Sequence, residues 1–362
     1  MKANKRQRSL QARNTLDALL ITNLPNIRYL CGFSGSSGAL ALAQDRWAFF
    51  TDGRYTEQAK SQVTNASIYI ASGAPAILAA RWISKRVKRK SAQIGIEGDH
   101  VSFSGERRID SELRSSLSRS GFRLIATSNI VEDLRIRKDN FEVNRIRNAV
   151  QLASGVFLSL VQSFRPRITE NHLAAELEYL ARSAGAEKMS FDSIVASGPN
   201  SALPHARPTP RTIGRGFVVL DYGVILAGYC SDMTRTVWVG RATGEARQIY
   251  SAVLEAQLAA IAVVAPGVEA QAVDQAARDV LRKHKLDKYF THSLGHGVGL
   301  EIHEAPRLAK GQTQKLEPGM VVTIEPGVYI PGRGGVRIED MVLVTKTGCE
   351  VLTPTPKEFL VL

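Results

Sequence analysis

Cysteine is scarce in this chain. Only Cys31, Cys230 and Cys349 occur among 362 residues, an odd number, far apart and without a CxxC pair. That count excludes a disulfide scaffold or a structural zinc ribbon, and reduced, buried thiols are expected instead. Long apolar runs are missing too. No stretch approaches the roughly 20 uninterrupted apolar residues of a membrane span. The N-terminal segment MKANKRQRSLQARNTLDALL is basic, and Asp17 interrupts its one apolar candidate before a signal-peptide core can form. A soluble, cytoplasmic protein is expected. Nothing repeats at a fixed period, and no Gly/Ser/Pro tract marks a flexible linker. With 44% hydrophobic and 22% charged residues, the composition is globular, not low-complexity, collagen-like or coiled-coil.

The length implies two domains. The formal net charge of +13 is unevenly spread: residues 1–134 hold 20 Lys and Arg against 11 acids. The excess sits in MKANKRQRSLQAR and in RWISKRVKRK, Arg81 to Lys90. Such runs can attract nucleic acid. Trp82, Ile83 and Val87, however, lie near helical spacing among these basic residues and point to a solvated helix face, so no nucleic-acid partner is expected. The first third alternates short strands (Asp17–Thr22, Trp47–Asp52, Gln93–Glu97) with a helical stretch at Ala76–Arg89, as in a small α/β domain. The charged segment VEDLRIRKD has no periodic apolar face, which sets a boundary near residue 134 and domains of 1–134 and 135–362.

The second domain reads as α+β. Helices are expected at about Asn140–Phe164, Glu170–Ser183, Glu245–Val264 and Glu269–His284, with Thr169 as an N-cap and Gly185 just beyond an end. Between and after them run β-type stretches: Phe217–Gly223, Met233–Val239, Met320–Ile330 and Val336–Val344. These carry acids where strands should be apolar. Asp221 closes VVLD, Asp232 precedes MTRTVWV, Glu325 lies inside VVTIEPG, and Glu339 interrupts VRIEDMVLV. An unpaired buried carboxylate costs several kcal/mol, about enough to demand a partner. No lysine run accompanies the four, so divalent metals are the expected counter-charge. A nitrogen ligand is at hand in THSLGHGVGLEIHEAP, where His292, His296 and His303 cluster and glycines flank His296. Mostly oxygen donors with one imidazole suit Mn(II), Fe(II), Co(II) or Zn(II). Four carboxylates suffice to bridge two metals.

In this order, LDYG, SDMTRT, GHGVGLEIHE, TIEPG and GVRIED resemble the pita-bread metallopeptidases, the group of methionine aminopeptidase, aminopeptidase P, prolidase and creatinase. The opening third, with Asn26-Ile-Arg-Tyr-Leu-Cys-Gly and Thr51-Asp-Gly-Arg-Tyr, is similar to the creatinase-type N-terminal domain. The resemblance implies a small α/β N-terminal domain and an α+β pita-bread catalytic domain. It implies two divalent cations, Mn(II) first, held by Asp221, Asp232, His296, Glu325 and Glu339, with Asp232 and Glu339 bridging. His205 in LPHARP would lie near the substrate, and His303 would hydrogen-bond the scissile carbonyl. Glu325 would pass a proton to the leaving nitrogen, and Arg337 would be an active-site arginine. Arg307, in HEAPR, matches a position linked to the substrate carboxylate in prolidases. The implied substrates are peptides with proline in second place, and a homodimer is expected. Because Arg307 is the sole arginine between His303 and Glu325, Xaa-Pro aminopeptidase is placed first and Xaa-Pro dipeptidase second. A catalytically silent peptide-binding or nucleic-acid-binding module is the reading from another class.

Overall fold

The computed structural model describes residues 2–13, 15–117, 121–165 and 167–362. The chain divides into two compact units, Met1–Arg135 and Ile136–Leu362.

The first unit is built on a six-stranded mixed sheet in the order Ser67–Ile70, Arg46–Thr51, Ala39–Ala43, Ala18–Ile21, Ala92–Glu97, Phe122–Thr127. The expected strands are present within a residue or so. Helix Pro75–Ser84 packs on the sheet together with Phe103–Ser116 and buries Trp82 and Ile83. It stops at Ser84, short of the expected Arg89. The next residues, Lys85 to Lys90, are basic, and only Val87 among them offers an apolar group to the core. The Asn26 motif turns out to be structural. The Asn26 amide donates to Glu97 and Glu132, and its carbonyl oxygen accepts from Arg135. Cys31 and Cys230 are buried and Cys349 is half-buried, all as free thiols.

The second unit uses one packing device twice. Helix Asn140–Ser163 is followed by Glu170–Ser183, and helix Gly244–Val263 by Ala270–Lys283. Each pair buries its apolar face on its own cluster, the first against Val218, Leu220 and Tyr222, the second against Val322, Ile324 and Val342. Thr169 caps its helix as expected, accepting from the His172 N–H at 3.2 Å. Asp139 and Glu142 form a capping box at the start of the first helix.

Between the helix pairs lie the sheets that carry the acids. Strand Gly216–Tyr222 sits between Ile194–Ser197 and Met233–Val239. A five-stranded sheet runs Glu304–Leu308, Gly295–Gly297, Val321–Ile324, Asp340–Val344, Cys349–Val351. Two expected long strands are each broken. Met320–Ile330 becomes Val321–Ile324 and Gly327–Ile330, and Val336–Val344 becomes Gly334–Arg337 and Asp340–Val344. The second piece of one pairs with the first piece of the other in a separate two-stranded ribbon. Glu325 with Pro326, and Ile338 with Glu339, occupy the two breaks. A proline cannot donate to a ladder, which is one reason for the first break. No described helix is long and apolar enough to cross a membrane.

Candidate active site

A cavity of about 1120 Å³ opens in the second unit, and all nine residues singled out in the sequence line it: His205, Asp221, Asp232, His296, His303, Arg307, Glu325, Arg337 and Glu339. Asp221, next to last in its strand, lies opposite Thr234 of the neighbouring strand. That pairing places Asp232, two residues earlier, beside Asp221's end of the ladder. His296 sits on the short strand Gly295–Gly297, pressed against two neighbours. A Cβ at Gly295 would lie 2.0 Å from the Thr323 carbonyl oxygen, and one at Gly297 would lie 2.3 Å from that of Ala305. Glycine is required there for close backbone approach.

Donor atoms of Asp232, His296 and Glu339 all lie within 4.8 Å of one another. His296 Nε2 is 3.6 Å from Asp232 and 3.5 Å from Glu325. Its Nδ1 is 2.9 Å from the Gly297 carbonyl oxygen, so the Nδ1–H donates there and the Nε2 lone pair faces the acids. Burial pushes the His296 imidazole down to about 4, which keeps that lone pair free. Burial also raises the acids: Glu325 reaches about 8, and Asp232 and Glu339 are raised as well, with the repulsion of their carboxylate neighbours added to burial.

One cation stands among them, and the sequence reading underestimated it. Arg337 is buried at 3% exposure and donates from Nη2 to Asp221 Oδ2. The same guanidinium donates to Tyr329, to the Pro204 carbonyl and to Thr234 Oγ1. His292 gives its Nδ1–H to the Ser293 carbonyl, leaving Nε2 to accept from the Tyr329 hydroxyl at 2.9 Å. The Pro204 contact ties the LPHARP segment, and with it His205, to the cavity wall. Thr234 Oγ1 donates to Glu339 Oε2 at 2.7 Å, and Thr323 Oγ1 donates to Glu325 at 3.2 Å. Neither Thr234, Thr323 nor Tyr329 stands out in the sequence, because threonine and tyrosine are ordinary strand residues. His292 was visible only as one of a cluster.

A metal fits this donor set. Asp221 Oδ1 and Glu339 Oε1 are buried with no hydrogen-bond partner among the described residues, while the other oxygen of each carboxylate is satisfied. Orphaned buried carboxylate oxygens lining the same cavity as a lone pair on His296 are the arrangement a hard or borderline divalent cation completes. Arg337 offsets one negative charge of four and leaves the rest.

Comparison with known proteins decides the family. The signature of Metallopeptidase family M24 matches residues 144–346, more than half of the chain. The chain belongs to metallopeptidase family M24. Residues 4–137 match the Creatinase/Prolidase N-terminal domain, so this M24 chain has the two-domain architecture with an N-terminal creatinase-type domain and a pita-bread domain. A solved structure titled Xaa-Pro dipeptidase from Bacillus anthracis is 40% identical with a TM-score of 0.90, covering 100% of this chain and 99% of that one. The X-Pro aminopeptidase from Thermotoga maritima is 36% identical with a TM-score of 0.88, covering 98% and 100%. The Xaa-Pro dipeptidase of Pyrococcus horikoshii is 36% identical over 96% of this chain and 95% of its own.

Proposed function

We propose that this M24 metallopeptidase is a two-metal exopeptidase that hydrolyses Xaa-Pro dipeptides, a prolidase. This reverses the order favoured by the sequence, which put aminopeptidase first. The observation that carries the reversal is the register of strand Glu304–Leu308. Arg307 is the antiparallel partner of His296, so the two side chains share one face of the sheet, and both line the cavity. A guanidinium there offers a bidentate cation for a C-terminal carboxylate. A carboxylate held one strand away from a metal ligand leaves room for a single residue after the cut bond. The names of the Bacillus anthracis and Pyrococcus horikoshii relatives agree with this order.

Asp221, Asp232, His296, Glu325 and Glu339 would hold the cations, Mn(II) first among Co(II), Fe(II) and Zn(II). When bound, two divalent cations supply Lewis acidity, acidifying a water and polarising a carbonyl. The chain does the rest. His296 offers Nε2 because Gly297 takes its other N–H. Thr234 and Thr323 orient the carboxylates of Glu339 and Glu325. His303, with its ring centroid 4.4 Å from that of His296, donates to the scissile carbonyl oxygen as negative charge develops. The proline nitrogen carries no proton in the substrate and leaves as an amine only if one is delivered. Glu325 is the carboxyl placed to deliver it. Arg307 holds the far carboxylate and His205 borders the other side of the substrate. The family likeness further supports a cytoplasmic homodimer.

The test is a comparison of Ala-Pro with Ala-Pro-Ala and longer peptides on protein of known metal content. Dipeptide cleavage that collapses through KM in Arg307→Ala, with metal stoichiometry unchanged, is expected. Preferential cleavage of longer peptides, indifferent to Arg307→Ala, would make the protein an Xaa-Pro aminopeptidase. Absence of any activating metal would leave only the binding module.

A further inference from the structure

The wall that flanks Asp221 carries chemistry that the proposed reaction does not use. Ile194, first residue of strand Ile194–Ser197, is the ladder partner of Asp221. The two residues before it, Asp192 and Ser193, line the cavity together with Asn171 and Glu178 of helix Glu170–Ser183. Asn171 and Glu178 are seven residues apart, two helical turns, and so lie on one face. Ser193 is only 5% exposed, and its hydroxyl has no hydrogen-bond partner among the described residues. A buried, unmatched hydroxyl in a cavity wall asks for a ligand group. Asp192 and Glu178 are exposed to the cavity side and form no ion pair among the described residues. Arg207 also lines the cavity and pairs with neither acid.

From this we infer that the Asn171–Glu178–Asp192–Ser193 wall is the subsite for the side chain of the N-terminal residue, and that it selects a cationic one, lysine or arginine. The inference rests on the exopeptidase reading and deepens it. Arg307 stands beside His296 and takes the proline carboxylate, so the substrate's other end extends toward the strand partnered with Asp221. A long aliphatic stem crosses the space, and the cation at its tip meets two carboxylates and an accepting hydroxyl. Glu178 and Asp192 keep their hydration until that cation arrives, which makes the selection electrostatic and salt-sensitive.

The experiment compares kcat/KM for Lys-Pro and norleucyl-Pro, which share the stem and differ in charge, with Ala-Pro as reference. Lys-Pro is expected to exceed norleucyl-Pro by about fivefold or more, as two partly exposed ion pairs allow. Raised salt should narrow the ratio, and the double variant Glu178→Gln with Asp192→Asn should bring it close to one. Ser193→Ala should lower the ratio with metal content unchanged. Equal rates for Lys-Pro and norleucyl-Pro, with Ala-Pro cleaved, would overturn this inference and leave the exopeptidase reading intact. An equal fall for both peptides in the double variant would also overturn it, assigning the acids to the α-ammonium instead. Failure to cleave Ala-Pro at all would defeat the exopeptidase reading itself.

Discussion

Arg337 donates to Asp221 Oδ2 at 2.5 Å, and the other oxygen of that carboxylate is buried with no hydrogen-bond donor beside it among the described residues. One half of the carboxylate is thus satisfied by the chain, and the other half is left over at the edge of a cluster of acids. Such a division suits a ligand held in orientation by an arginine and free to use one oxygen.

Replacing Arg337 should therefore damage the site in a particular way. Arg337→Met keeps much of the volume and removes the charge and the fork that joins Asp221, Tyr329, Thr234 and the Pro204 carbonyl. A buried acid stripped of its partner costs about 3 kcal/mol of stability. Thermal unfolding should show that loss, and kcat/KM should fall by about 100-fold or more. Wild-type kinetics in this variant would detach Arg337 from the chemistry.

Removing metal offers an independent check. Dialysis against a chelator should abolish hydrolysis, and added Mn(II) should restore it. Because the acids repel one another without a cation, refilling should also stabilise the fold, by about 2.7 kcal/mol per site at 100 times Kd, and this should appear as a higher unfolding temperature. Asp232→Asn, whose neutral amide cannot bridge two cations, should bind fewer than two metals per chain and lose activity. Full turnover by this variant would remove Asp232 from the centre.

The two histidines whose rings pack at 4.4 Å should separate binding from chemistry. His296→Ala is expected to lose metal, because its Nε2 lone pair faces Asp232 and Glu325. His303→Ala should keep both metals and lose about 3 kcal/mol of transition-state stabilisation, seen in kcat. Metal analysis of the two purified variants decides, and a metal-deficient His303→Ala would make His303 a ligand.

Gly295 tests the backbone beneath the site. A methyl group there would collide with the Thr323 carbonyl at 2.0 Å, so Gly295→Ala should force strands Gly295–Gly297 and Val321–Ile324 apart. Since His296 and Glu325 ride on these segments, metal affinity should drop at least about tenfold, with a destabilisation of about 2 kcal/mol. Isothermal titration with Mn(II) and a melting curve would measure both, and unchanged affinity would contradict the close-approach argument.

A fifth site for mutation lies beside the histidines. Lys138 and Glu304 pair at 3.0 Å with side chains only 1% and 6% exposed. Lys138→Ala leaves a carboxylate buried next to His303 and should cost about 3 kcal/mol. Lys138→Ala paired with Glu304→Gln should recover part of it in a denaturant series. Additive losses would show that the pair is not coupled.

Much of this was legible in one dimension. A helix declares itself by local periodicity and caps, so Glu170–Ser183 and its Thr169 cap could be read directly. Acids inside otherwise apolar strands declare themselves too, because burying them alone is costly, and that marked Asp221, Asp232, Glu325 and Glu339. What local sequence could not decide were relations that depend on which strand lies beside which. The runs around Glu325 and Glu339 each read as one strand, yet each breaks and passes from one sheet to another, since pairing partners far along the chain outweigh local β-propensity. Arg337 was marked only by the family resemblance, and its burial against Asp221 came from folding. Thr234 and Tyr329 gained their partners the same way. The position of Arg307 mattered most. Its number in the chain said only that it follows His303, whereas the antiparallel register set it opposite His296. Spacing along a chain is a local property, but a ladder joins residues by their place in space.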